Sequence, residues 1–146
     1  MKLAHDTIIL VVDGARMVLL RNHGDAVQPD LRVAEHRQIE IPENRDILSD
    51  APGVDMSRGY PGRSTLDQGD PHRAYEDQFI AAAADALAAL AGDGAGDIVV
   101  VAPPRALGVL RQRYAAGVKP RIICELAKDL TGHPVAAIER LLSDHE

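Results

Sequence analysis

The chain has 146 residues, a length typical of one globular domain, and 46% of them are hydrophobic, enough for a sizeable core. Aromatic residues make up only 3%, so the core must be built from Val, Ile, Leu and Ala. Sixteen Lys and Arg against 22 Asp and Glu give a formal net charge of -6, which argues against a generally basic nucleic-acid coat protein. The single cysteine, Cys124, excludes an intrachain disulfide framework and a cysteine-based zinc site.

The first 41 residues predict three strands. Thr7–Val12 is a continuous β-branched and aliphatic run, typical of a strand buried on both faces. Asp13-Gly14 suits a tight turn, and Ala15–Arg21 is predicted as the returning strand of a hairpin. Leu31–Ile41 alternates in part and predicts a third, more exposed strand.

No apolar run in the sequence is long enough to act as a membrane anchor. The run Ile8–Val12 is too short for a signal-peptide core, and no other stretch approaches the roughly twenty apolar residues of a membrane helix. The free thiol of Cys124 also suits a reducing compartment. We therefore expect a cytoplasmic location without membrane insertion.

The segment Pro42–Pro71 lacks an apolar period. It holds four Pro and four Gly among scattered charges. So long a segment without secondary structure is uncommon within a compact domain and is usually functional or disordered. Its mixed charges, including Arg45 and Arg63, suit either a partner-binding segment that orders on contact or a tolerated insertion. We expect this loop to be largely irregular and flexible.

Helical spacing returns after the loop. The apolar positions of the predicted helix are Tyr75, Phe79, Ala83, Ala86, Leu87 and Leu90. Gly92-Asp93-Gly94 suits the end of this helix, and Asp97–Ala102 is the clearest buried strand of the chain. Pro103-Pro104 ends that strand and favours the start of a further helix.

The last third of the chain continues the alternation of helix and strand. The helix after Pro103-Pro104 has its apolar stripe at Leu107, Leu110 and Tyr114, and Arg121–Leu126 predicts a short strand covered on both faces, with Cys124 buried and slow to react. A final helix opens at Pro134, and its apolar positions are Val135, Ile138, Leu141 and Leu142. The loop 128–134 before it is predicted to cap the helix rather than to bind a ligand.

The element order is β-β-β-(loop)-α-β-α-β-α. This order predicts one α/β domain over residues 1–146, with a mixed sheet that starts with a β-hairpin and carries helices on its faces.

Few residues are placed for catalysis. Asp13 follows the first strand, where a carboxylate can hold a metal for phosphoryl chemistry, but Asp13-Gly14 is better explained as a turn. The six histidines show no ligand spacing, and neither a P-loop nor a dinucleotide fingerprint occurs. The sequence thus predicts neither a metal site nor a cofactor.

The stretch Ile98–Cys124, here called the basic stretch, has an unusual charge balance. It contains no Asp or Glu, and its five cations are Arg105, Arg111, Arg113, Lys119 and Arg121. Such a local field could attract phosphates, RNA or an acidic partner. The alternative is a solvated face whose cations pair with acids distant in sequence. On a helical wheel, Arg113 is expected to be more exposed than Arg111.

Several segments together resemble the bacterial host-attachment protein family. They are VVDGAR (11–16), NRDILSDAPG (44–53), PGRS (61–64), VVVAPPRALGVLR (99–111) and ELAKDLTGHPVAAIERLL (125–142). That family is similar to the middle domain of archaeal and eukaryotic class-1 peptide-release factors, an α/β fold of ribonuclease-H-like type. The resemblance therefore implies this fold and contact with the ribosome or transfer RNA.

The sequence departs from these relatives in two places. Peptide release by the release factors depends on a Gly-Gly-Gln loop, and no Gly-Gly-Gln occurs here. The segment Asp50–Val54 replaces the family's usual Asp-Arg-Pro-Gly-Arg run with Asp-Ala-Pro-Gly-Val, so it carries fewer arginines for phosphate.

Three hypotheses follow. The first is a non-enzymatic cytoplasmic protein that contacts RNA or a ribosome-associated partner through the five cations of the basic stretch, with Arg45 and Arg63 from the loop, and that affects attachment indirectly. The second is a metal-dependent hydrolase of a phosphate or ester bond, with Asp13, Asp46 and Asp50 around the metal. The third is a small homodimeric scaffold with no ligand site, and the oligomeric state is left open.

Overall fold

The computed structural model of the chain describes residues 1–40 and 71–145. The strands are β1 (Ile8–Val12), β2 (Arg16–Asn22), β3 (Leu31–Gln38), β4 (Ile98–Ala102) and β5 (Ile122–Ala127). The helices are α1 (Pro71–Ala91), α2 (Pro104–Arg111) and α3 (Val135–Asp144), and a short 3-10 turn (Lys119–Arg121) precedes β5.

The five strands form one mixed sheet in the order β3-β2-β1-β4-β5. β1 pairs antiparallel with β2, and β2 with β3, so the predicted hairpin and the third strand are confirmed. β1 pairs parallel with β4, and β4 with β5. The mixed α/β fold expected from the sequence and from the release-factor resemblance is therefore confirmed.

The two central strands are buried on both faces. Alternate side chains of β1 point to opposite sides: Ile8, Leu10 and Val12 join one apolar cluster, and Ile9 and Val11 join the other. β4 divides its side chains between the same two clusters. This two-sided burial explains why both strands are continuous aliphatic runs.

Helices cover both faces of the sheet. On one face α1 buries Phe79, Ile80 and Leu87, and α2 buries Leu107 and Leu110. On the other face α3 packs Ile138 and Leu142. Small alanines along α1 let its backbone come close to the sheet, so the core needs few aromatic residues.

The start of α2 and the end of α1 lie at the proline and glycine that the sequence predicts for them. Pro104 is the first residue of α2, where its missing N–H costs no hydrogen bond. Gly92 after α1 has a φ of 50°, a left-handed conformation that a side chain disfavours. Pro71, expected as the last residue of the irregular loop, is instead the first residue of α1. The rest of the Pro42–Pro71 prediction lies outside the described residues.

The prediction that β5 is covered on both faces was wrong. β5 is the last strand of the sheet, Cys124 is only half-buried, and the Ile123 side chain is 49% exposed. The register slips between Ile98/Ile122 and Val99/Cys124, so Ile123 is the extra residue of a bulge. Two adjacent isoleucines therefore mark a bulge rather than burial on both faces.

Each of the three helices differs from its predicted apolar stripe at one position. Tyr75, near the start of α1, is 40% exposed. α2 ends at Arg111, because Gln112 and Arg113 donate to the carbonyls three residues earlier and close the last turn. Tyr114 thus lies beyond the helix. In α3 the Leu141 side chain is 39% exposed, so this residue does not belong to the core.

Candidate functional site

The cations of the basic stretch do not form one surface, because three of them are held by partners distant in sequence. Arg105 reaches α1, where its guanidinium donates to Glu76 Oε1 at 3.2 Å and to Asp77 Oδ1 at 2.6 Å. α1 therefore supplies the acids that the basic stretch lacks. The alternative weighed from the sequence, pairing with remote acids, holds for this arginine.

Arg111 belongs to a network on β5. Its Nη2 lies 2.7 Å from Glu125 Oε1, and the Tyr114 hydroxyl donates to Glu125 Oε2 at 2.8 Å. Burial works against the Glu125 charge, but the hydrogen bonds from Arg111 and Tyr114 outweigh it and lower the pKa of Glu125. Burial, followed by the bond to Glu125, raises the pKa of Tyr114. Tyr114 therefore stays a neutral donor, and Glu125 stays an anion.

The Arg121 side chain links three elements of the fold by hydrogen bonds. Its Nε donates to the Gly96 carbonyl at 2.7 Å, and its Nη1 donates to the Ala91 carbonyl at 3.0 Å. Ala91 is the last residue of α1, whose final carbonyls have no partner within the helix. The guanidinium thus ties the end of α1 and the start of β4 to the start of β5.

Arg113 and Lys119 differ from these three anchored cations. Both are exposed, and neither makes an ion pair or side-chain hydrogen bond within the described residues. Arg113 borders an open cleft of about 380 Å³ between α1 and α2, together with Asp77 and Asp85 but beyond ion-pair distance of them. Arg111 was expected to be more sheltered than Arg113, but it is also exposed. It differs from Arg113 because it forms an ion pair with Glu125. Arg45 and Arg63 lie outside the described residues.

Polar side chains also meet where the parallel strands end, the edge at which α/β folds bind ligands. Asp13 Oδ1 accepts bonds from the backbone N–H groups of Ala15 and Arg16, each at 2.8 Å, which confirms its role in the turn. Its Oδ2 lies 2.8 Å from the Thr131 hydroxyl, which is also 2.8 Å from Asp129 Oδ1. One hydroxyl therefore joins the carboxylates that follow β1 and β5.

An open cleft of about 320 Å³ lies at this edge and is lined by Arg16, Asp129, Gly132, His133 and Pro134. A Cβ added to Gly14 would lie 2.7 Å from Cγ of Glu76, so a side chain at this position would displace Glu76. The turn is therefore closely packed against α1, while the cleft beside Asp129 is open.

The loop 128–134 does not cap α3 as predicted. The N-cap position is Pro134, and no side chain bonds the first N–H groups of the helix. Asp129 and Thr131 bond each other and Asp13 instead. The sequence signalled the polar loop and the aspartate after β1 separately, but it gave no sign that they touch.

The described residues contain no group of three His, Cys, Asp or Glu side chains that could hold a metal. Asp46 and Asp50, the predicted companions of Asp13, lie outside the described ranges. In 1–40 and 71–145, no helix combines the length and apolarity needed to cross a bilayer.

The chain matches a known protein family over almost its whole length. A sequence model of bacterial archaeo-eukaryotic release factor family 12 matches residues 6–142. The chain belongs to this family. The predicted relation to release factors is thereby confirmed, while the host-attachment name stays a prediction.

A curated relative adds a local match. Uncharacterized protein RP470 of Rickettsia prowazekii (strain Madrid E) is 41% identical to this family 12 chain over 44 residues. The match covers 30% of this chain and 29% of the relative. The chain therefore spans less than a third of that protein, whose name states no activity.

Proposed function

We propose that this release-factor family member is a non-enzymatic cytoplasmic protein that contacts RNA or a ribosome-associated partner and affects host attachment indirectly. The observation that carries the proposal is the exposure of Arg113 and Lys119, two cations with no ion pair within the described residues. Their charge is available to an external anion, whereas the anchored cations Arg105, Arg111 and Arg121 are already engaged.

The electrostatics of the connection between α2 and β5 favour a phosphate ligand. This connection contains no acid, and both unpaired cations lie on it. Exposed Lys and Arg bind phosphates with release of counterions, which gives affinity without base specificity. The release-factor family suggests ribosomal RNA as the source of those phosphates, so we favour RNA over a ribosome-associated protein.

No described feature favours the metal-dependent hydrolase. Both carboxylate oxygens of Asp13 take part in the turn and in the contact with Thr131, so this side chain has a structural role of its own. The homodimeric scaffold has no ligand site, so it becomes the favoured hypothesis if the chain does not associate with ribosomes.

The experiment is co-sedimentation with purified ribosomes over a salt series. The double variant Arg113→Glu with Lys119→Glu should abolish association and leave the thermal midpoint nearly unchanged, because neither side chain has a partner among the described residues. The matched control is Lys2→Glu with Arg140→Glu, which makes the same charge change at two exposed positions elsewhere. Equal co-sedimentation of the first double variant and wild type at low salt would remove the proposal.

Two further outcomes identify the partner. Crosslinks from Arg113 or Lys119 peptides to ribosomal RNA support direct phosphate contact. Crosslinks to a ribosomal protein alone would replace the RNA hypothesis with a protein partner on the same surface.

A further inference from the structure

An open cleft of about 520 Å³ lies beside the edge strand β5. This volume falls within the range of about 300 to 1,000 Å³ that sites for small ligands occupy. Ile122, Ile123 and Cys124 give the cleft apolar surface, and Lys119 gives it a cation without an ion pair among the described residues. A phosphate contact accounts for the lysine but not for the apolar surface next to it.

The rest of the cleft is lined by Arg111, Tyr114 and Glu125, and the carboxylate holds the other two side chains in place. Arg111 Nε donates to Glu125 Oε1 at 2.9 Å, and its Nη2 lies 2.7 Å from the same oxygen. The Tyr114 hydroxyl donates to Oε2 at 2.8 Å. Both oxygens of Glu125 are thus engaged, and this residue positions its neighbours rather than binding a ligand itself.

The charge of Arg111 is paired, but its planar face is open, because the side chain remains 58% exposed. Guanidinium planes and aromatic rings are the surfaces on which unpaired nucleobases stack. The guanidinium and the Tyr114 ring are fixed by one carboxylate before any ligand arrives, so little ordering is needed on binding. Together they form a preformed stacking surface, with Lys119 in the same cleft to bind a phosphate.

The backbone of β5 adds hydrogen-bonding groups to this surface. No described strand pairs with its outer side, so one row of N–H and C=O groups has no strand partner. Unpaired bases are recognised by hydrogen bonds to edges that a duplex keeps occupied. Stacking surface, backbone groups and a cation therefore occur together along one edge of the sheet.

We propose that this cleft binds one unpaired nucleotide of a single-stranded RNA segment, with its base stacked on Arg111 and Tyr114 and its phosphate on Lys119. The proposal rests on the proposed function, which supplies the RNA, and it adds which class of RNA is bound. Bases in a duplex are stacked inside the helix and cannot enter the cleft without unpairing. Lys128 and Asp129 follow the last residue of β5 and do not line the cleft.

The test is fluorescence anisotropy with a labelled RNA strand of about sixteen nucleotides, measured alone and annealed to its complement. Arg111→Lys keeps the positive charge and removes the planar face. It should weaken binding of the single strand about tenfold, the effect of losing one stacked base, and leave duplex binding and the salt dependence unchanged. The matched control is Arg105→Lys, at an ion-paired arginine of α2 outside the cleft, which should change neither affinity.

A second measurement uses wild-type protein and does not depend on any variant. The same strand carries iodouridine, which crosslinks on irradiation to an aromatic ring stacked against it. The proposal predicts a crosslink to Tyr114 and none to Tyr75, a tyrosine of α1 that is 40% exposed but does not line the cleft. Mass spectrometry of the digested product distinguishes the two tyrosines.

Failure of this proposal and failure of the proposed function give different results. RNA binding that needs Arg113 and Lys119 but is unaffected by Arg111→Lys would overturn the nucleotide site alone. The same holds for an equal loss of single-strand and duplex binding in that variant, or for a crosslink to Tyr75 in place of Tyr114. Wild-type protein that binds neither form of RNA would refute the nucleotide site and direct RNA contact together, which leaves a protein partner.

Discussion

The anchored and unpaired cations of the basic stretch are close in sequence but differ in their surroundings. Arg121 reaches a carbonyl 30 residues away, and Arg105 reaches a carboxylate 28 residues away. Arg113 and Lys119 contact no charged group within the described residues. A count of charges along the chain therefore overstates the basic surface, because packing brings acids and carbonyls to some cations and not to others.

The largest expected stability effect separates the two groups directly. Arg121→Ala leaves the Gly96 and Ala91 carbonyls without their charged donor, so the free energy of unfolding should fall by about 2 kcal/mol. Arg113→Ala removes no described contact and should change it by less than about 0.5 kcal/mol. Urea denaturation of both variants measures the difference. An equal loss of unfolding free energy in both variants would show that the hydrogen bonds of Arg121 do not stabilise the fold.

A smaller, pH-dependent loss of unfolding free energy is expected when Glu125 is substituted. Glu125→Gln removes the charge that Arg111 pairs with, and at neutral pH it should cost about 1 kcal/mol, since the guanidinium is more than half exposed. Because the pKa of Glu125 is lowered in the folded protein, its contribution is present above the ordinary value of 4.5 and is lost as the pH falls through the folded pKa.

The corresponding measurement is urea denaturation of wild type and Glu125→Gln across this acid range. The stability difference between the two proteins should narrow as the pH drops below 4.5. A difference that stays constant with pH would show that the charge of Glu125 does not stabilise the fold.

The sequence predicts local structure well where residues adjacent in the chain determine it. The aliphatic runs of β1 and β4, the turn at Asp13 and the helix start at Pro104 each depend on neighbours in the chain. The position of β5 at the edge could not be predicted in this way. A bulge at Ile123 disturbs the alternation as burial on both faces would, and strand order depends on the whole topology.

The site was harder to predict than the fold, because its contacts span long separations. The Thr131 hydroxyl meets Asp13 across 118 residues, and nothing near either residue indicates the other. The charge count found all five cations but could not divide them into anchored and unpaired groups. The slow labelling expected for Cys124 stays a prediction: burial, followed by the nearby Glu125 charge, raises the pKa of the thiol, although the side chain is only half-buried.

The central claim is that the unpaired cations contact phosphate while the anchored cations hold the fold. The most direct test is the salt dependence of ribosome binding, measured for wild type, for Arg113→Ala with Lys119→Ala, and for Arg105→Ala. Each lost phosphate contact lowers the slope of log affinity against log salt by about 0.7 to 0.9, so the double variant should lose about 1.4 to 1.8. Arg105→Ala should keep the wild-type slope. An unchanged slope in the double variant, or an equal loss in Arg105→Ala, would contradict the claim.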